Sequence, residues 1–188
     1  TYGTGVPRDS GEAEHWERRA VEAGSLVALN NLAYNLAVEG RNLDEALSHI
    51  RRVVAQEPDD PHFLDTLGWV LYRMGRYAEA IPPLCRSVQL MAHPEVRSHL
   101  GDAYWRVGDR VNAHHQWRLA LSAYEDAVAQ QDPAIGHFVR SDLGLEMRAG
   151  LESRLALGLP DSGAAPAIVG EDHGIEATFL DECQIPSA

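Results

Sequence analysis

The stretch GWVLYRMGRYAEA (Gly68–Ala80) is echoed by DAYWRVGDRVNA (Asp102–Ala113), with the central glycines Gly75 and Gly108 thirty-three residues apart. Aligned on small residues, the echo extends upstream. Gly40, Gly75 and Gly108 are followed by Ala46, Ala80 and Ala113, and preceded by Leu32-Ala33, Leu67-Gly68 and Leu100-Gly101. Successive landmarks fall 33 to 35 residues apart, and the first unit carries one extra residue, GRNLDEA against GRYAEA. Such a period marks a solenoid, in which each unit stacks on its neighbour because it cannot bury its apolar face alone.

Each unit reads as two helices. Leu64, Leu67, Gly68 and Leu71 recur at steps of three and four, as do Tyr77, Ala80, Ile81, Leu84, Val88 and Met91. Gly68 and Gly101, with Ala33, let a partner helix approach closely, and Ala46, Ala80 and Ala113 do so from the other side. Gly75 and Gly108 sit where a first helix must end, a position that favours a left-handed backbone. Asp59, Asp60 and Pro61 read as a cap and first-turn proline opening the next helix.

The residues Leu67-Gly68-Leu71-Ala80-Leu84 and Leu100-Gly101-Tyr104-Ala113-Trp117-Ala120 resemble the tetratricopeptide repeat, and a looser unit runs Leu32-Ala33-Leu36-Ala46-Ile50-Val53-Pro58. Upstream, Gly3–Gly24, with Ala13, Trp16 and Ala20, resembles the second half of a Sel1-like repeat. The expected fold is therefore all-α, a right-handed α-solenoid of antiparallel helix pairs. Its divisions are a Sel1-like half-repeat over 1–25, three repeat units over 26–130, a capping helix over 131–158 and an irregular acidic tail over 159–188. The capping helix is read from Ile135, Phe138, Val139, Leu143, Met147, Leu151 and Leu155, after Pro133. The tail holds one apolar cluster, Ile175, Phe179, Leu180 and Ile185, and six acids without arginine over 161–188.

Composition narrows the function. The net charge is −12, from 28 acids against 16 bases, and every base is arginine. Residues 61–120 hold 5 acids and 7 arginines, whereas residues 121–188 hold 12 acids and 3. A chain so acidic and free of lysine is unsuited to phosphate backbones, so nucleic acid is not an expected partner. No run of eighteen apolar residues encodes a membrane helix. The chain opens on Thr1, which suggests a processed or trimmed piece with an earlier segment missing. The absence of lysine with abundant alanine points to a high-GC bacterial source and leaves cytoplasm and periplasm open.

Catalytic signatures are not found: there is no GxxxxGK[ST], GxGxxG, GxSxG or HExxH. His93-Pro94-Glu95 with His99 matches no common zinc spacing and reads as a solvated loop. His114 and His115 are adjacent and point to different sides of a helix. Cys85 lies in an apolar helical context and reads as a buried inert thiol; its distance from Cys183 suits no metal pattern. Trp16 and Trp117 occupy core positions. The expectation is a chain that is not an enzyme and takes no metal or cofactor.

The resemblance implies a different activity. In this family the first helices of successive units line a concave groove. Carried over by position, that groove is formed by Asn30, Tyr34 and Val38, then Asp65, Trp69, Tyr72 and Arg73, then Ser98, Asp102, Trp105 and Arg106. Aromatic side chains flanked by arginines are the composition of a binding hot spot. The expected function is a scaffold or adaptor that binds a peptide or partner helix in the groove. The alternative is a structural or regulatory segment of a larger enzyme or envelope assembly. The acidic tail is a candidate for self-association, in the groove of its own or a neighbouring molecule.

Overall fold

The computed structural model describes residues 24–130 and 142–159. Seven helices follow in order: α1 (Leu26–Glu39), α2 (Leu43–Gln56), α3 (Pro61–Arg73), α4 (Tyr77–Leu90), α5 (Pro94–Arg106), α6 (Arg110–Gln130) and α7 (Asp142–Leu157). No strand occurs among the described residues. The Sel1-like half-repeat, the 131–141 segment of the expected capping helix and the tail from residue 160 onward lie outside them.

The punctuation expected of the sequence sets these boundaries. Ser25 caps α1 by accepting from the Ala28 amide at 3.2 Å. The Asp60 carboxylate accepts from His62 and Phe63 amides at 2.9 and 3.1 Å, and Pro61 follows as the first helical residue. Gly40, Gly75 and Gly108 end α1, α3 and α5 with φ of 67°, 76° and 90°, a region that a Cβ would strain. The additional residue of the first unit is absorbed by Asn42, the one non-glycine residue of positive φ (48°) among the described residues. Asparagine tolerates this conformation better than most side chains. Helix α4 carries Pro82 and Pro83 in its interior. Each removes an amide donor, and the carbonyls left over belong to exposed Ala78 and Glu79, within reach of water.

Each unit is a hairpin, α1–α2, α3–α4 and α5–α6. First helices also touch first helices, α1 to α3 and α3 to α5, and each second helix packs on the next first helix. That connectivity is an α-solenoid. Its seam is built from large residues placed against none. A Cβ on Gly68 would lie 2.4 Å from Leu84 Cγ, and one on Gly101 2.4 Å from Trp117 Cδ1. Ile50, Leu84 and Trp117 hold the same place in the three units, and each is fully buried, as are Ala46, Ala80 and Ala113.

Two readings are corrected. Cys85 is buried against Tyr104, whose hydroxyl lies 3.6 Å from its sulfur, but it is not an inert thiol: it is disulfide-bonded, and no described cysteine is free. Two thiols are too few for a framework yet sufficient for one crosslink. The remaining cysteine of the chain, Cys183, lies outside the described residues. Nor is His93–His99 a solvated loop. His93 caps α5 through its ring, Nδ1 accepting from the Glu95 amide at 3.3 Å, and His99 is buried inside the stack.

Candidate functional site

Helices α1, α3 and α5 pack in succession, and contacts across them tie several of the expected groove residues to one another. On α1, Asn30 is half-buried, and its Oδ1 is buried without a hydrogen-bond partner. The Tyr34 hydroxyl donates to Glu95 Oε1 at 3.3 Å, reaching from the first unit to the third. Burial, then Glu95 and Asp65, hold that hydroxyl far above the ordinary tyrosine range. Val38 is exposed, and its carbonyl accepts from Arg73 Nη1 at 2.9 Å.

Helix α3 supplies the centre. Trp69 stacks on Tyr72 with ring centres 5.1 Å apart and planes 9° apart, and on His99 of α5 at 4.3 Å and 21°. The Arg73 guanidinium lies 5.6 Å from the centre of the Trp69 ring, within cation–π range. Arg106 of α5 donates from Nε to the Tyr72 hydroxyl at 3.4 Å. Arg106, Tyr72, Trp69 and His99 thus form a ladder that crosses from α5 to α3 and back. Its first three members are half-buried, and the Trp69 Nε1–H has no hydrogen-bond partner.

Below the ladder Asp65 and His99 pair at 2.9 Å, with about a tenth of each side chain exposed. Burial opposes the charged imidazole, but the Asp65 charge and hydrogen bond, with Glu95 and Asp102 beyond, raise its pKa above the usual histidine value.

At the third unit the surface is already occupied. Asp102 is buried, accepting from Trp117 Nε1 at 2.9 Å and from Arg154 Nη2 of α7 at 3.1 Å, with Arg154 Nε 3.0 Å from its other oxygen. Burial pushes the Asp102 carboxyl up, against the pull of Arg154, His99 and the indole donor. Ser98 is buried too. Trp105 packs at 5.3 Å on Trp117, and the Arg110 guanidinium lies 3.5 Å from the centre of its ring. The chain after α7 passes so close that a Cβ on Gly158 would lie 2.0 Å from Trp105. Helix α7 therefore takes the place a fourth first helix would have, against α6 and the inner side of α5.

Between the stack and α7 remains a cavity of about 270 Å³. Trp69, Glu95, Ser98, His99 and Asp102 line one wall. Glu146, Met147, Gly150 and Arg154 of α7 line the other. Sequence reading missed His99 and Arg154. Asp65 and His99 are 34 residues apart, one more than the 33-residue step between the second and third units, so the repeat register pairs Asp65 with Ser98 and not with His99. Nothing in the repeat pattern announced Arg154, which belongs to no unit. Among the described residues no three histidine, cysteine, aspartate or glutamate side chains converge as a metal site, and no helix is long and apolar enough to cross a membrane.

Residues 32–93 match the family model described as the tetratricopeptide repeat. Over 83 residues the chain is 39% identical to a TPR repeat-containing protein of Pseudomonas aeruginosa, which is 44% of this chain and 14% of that protein. Over 81 residues it is 30% identical to tetratricopeptide repeat protein 13 of Homo sapiens, 43% of this chain and 9% of that one. The matched stretch is thus a small part of these relatives' length. Among solved structures, PcrH in complex with the chaperone binding region of PopD superimposes with a TM-score of 0.55 at 19% identity, covering 70% of this chain and 88% of PcrH. The type III secretion translocator chaperone SycD of Yersinia enterocolitica gives 0.51 at 20% identity, covering 69% and 92%. At that identity the likeness is one of fold.

Proposed function

We propose that this chain, whose residues 32–93 match the tetratricopeptide-repeat model, is a non-catalytic binding module whose inner face holds an extended segment of a partner protein. The observation that carries the reading is the ladder of Arg106, Tyr72 and Trp69 with Arg73 beside it. These side chains are fixed by stacking and inter-helix hydrogen bonds, yet remain half-exposed on the inner face. Aromatic rings already held in place supply contact area with little further loss of rotamer freedom, and the guanidinium groups add directional donors. On this reading the binding stretch runs along α1 and α3, from Asn30 and Tyr34 to Trp69, Tyr72 and Arg73, which the cover of α7 over Asp102 and Trp105 supports. PcrH, whose fold is similar, is a complex with the chaperone binding region of another protein, which agrees with a peptide as the ligand.

A second reading keeps the same fold as a structural or regulatory segment of a larger assembly. It is favoured by the small share of its relatives' length that the chain matches. One experiment separates the two. Peptides selected from a displayed random library against the purified chain are titrated while backbone amide and indole NMR shifts are followed. Groove binding moves the signals of Asn30, Tyr34, Trp69 and Tyr72. Shifts confined to the outer helices α2, α4 and α6, or a library that yields no binder, would overturn it.

A further inference from the structure

The cavity between the stack and α7 has a charge pattern that the groove reading does not use. Two of its cationic groups are already neutralised. His99 is paired with Asp65 at 2.9 Å, and Arg154 lies 3.0 Å from Asp102. Its remaining carboxylates, Glu95 of α5 and Glu146 of α7, form no ion pair among the described residues; Glu95 accepts only the neutral Tyr34 hydroxyl. The field around them is accordingly negative. Glu95 is among the groups that raise the pKa of Tyr34, after burial, and that raise the pKa of His99 against its burial. Trp69 and the Met147 thioether supply apolar wall to the same cavity. The volume, about 270 Å³, is just under the ~300 Å³ at which small-molecule pockets begin, a size suited to one side chain and not to a whole cofactor.

We propose that this cavity takes a cationic side chain, lysine or arginine, from the segment bound along the groove. Its charge lies between Glu95 and Glu146, and its aliphatic stem runs against Trp69 and Met147. The inference rests on the groove reading and adds to it a requirement for a basic residue near the third unit. Both positively charged groups at the site are already matched by carboxylates, so an anionic side chain would meet the unpaired charges of Glu95 and Glu146. A neutral aliphatic chain of the same length would gain the apolar contact without the charge. Two carboxylates brought together from different helices act as a clamp only while α7 stays docked, which ties the site to the Asp102–Arg154 pair.

The test uses the purified chain and capped single residues, so that it does not depend on knowing the partner. N-acetyl-lysine methylamide and N-acetyl-arginine methylamide are titrated against the Trp69 indole and Gly150 amide NMR signals, with the norleucine and glutamate analogues as controls. Both cations should shift these signals and the controls should not. In the Glu95→Gln/Glu146→Gln variant binding should weaken by about tenfold, and added salt should weaken it in the parent chain. Glutamine keeps an oxygen for the Tyr34 hydroxyl, and Glu146 is exposed, so unchanged thermal melts should confirm an intact fold. Equal binding of the norleucine analogue, binding of the glutamate analogue, or no response to either cation overturns the proposal. If the cations fail while library peptides still move Tyr34 and Tyr72, the cavity proposal falls and the groove stands. Cations that bind where no peptide engages the groove overturn the groove reading and, with it, the claim that the side chain comes from a bound segment.

Discussion

Gly68 and Gly101 hold equivalent places but face different neighbours, and that difference is measurable. The Cβ of an alanine at either site would come within 2.4 Å of the opposing side chain. Opposite Gly68 stands Leu84, as fully buried as its counterpart but smaller and with no hydrogen bond to hold it. Opposite Gly101 stands Trp117, fully buried and held by its bond to Asp102. A glycine in a helix interior already costs about 1 kcal/mol relative to alanine, which offsets part of the clash. Overpacking costs about 1–3 kcal/mol, toward the upper end where the neighbour cannot yield. Gly101→Ala should therefore lower unfolding free energy by about 2 kcal/mol, and Gly68→Ala by less than half of that, in urea titrations. Equal losses would mean that Trp117 moves as easily as Leu84. The need for small residues at both sites is legible in the repeat alone, while the rigidity of the opposing side chain is not.

Helices α3 and α5 meet through an ion pair, and this makes their joint sensitive to pH. Burial disfavours the His99 imidazolium, but Asp65, with Glu95 and Asp102 beyond it, outweighs that effect, so the folded-state pKa stands above the unfolded one. A raised basic pKa contributes stability that is fully present below the unfolded value of about 6.5 and is lost as pH rises through the folded value. The melting temperature should fall across that interval. Asp65→Asn should flatten the change by removing the partner that holds the proton. A dependence that survives Asp65→Asn would assign the effect to another group, such as the buried Asp102. Helix periodicity places Asp65 and His99 on the first helices of successive units, but it does not say that their side chains turn toward each other. That follows from the packing of Trp69 on His99, which leaves the imidazole facing the carboxylate.

A solenoid is stable as a sum of units and interfaces, and its last unit depends on what covers it. Here α7 buries Leu151 against Ala113, Trp117 and Ala120, and Arg154 reaches Asp102. Arg154→Met leaves the carboxylate in the core with the Trp117 donor alone. A quarter of the Arg154 side chain is exposed, so the loss should be about 2 kcal/mol, below that of a fully buried pair. Amide exchange should quicken in α7 and α6, with α1 and α2 unaffected. Adding Asp102→Asn should recover much of the loss, because the stranded charge is what destabilises. Failure of that rescue would show that Arg154 acts through packing alone.

The repeat period, the glycine and alanine positions and the capping residues sufficed for the hairpins and their boundaries, since these are local rules applied at a regular interval. Only the assembled stack decided that Asp102 is buried, that Trp105 is covered by the chain near Gly158, and that Glu95 and Glu146 share a cavity. Those outcomes depend on how α7, an element outside the period, comes to rest on α5 and α6. Contacts between residues fifty positions apart arise from shape and charge complementarity, which no periodicity encodes.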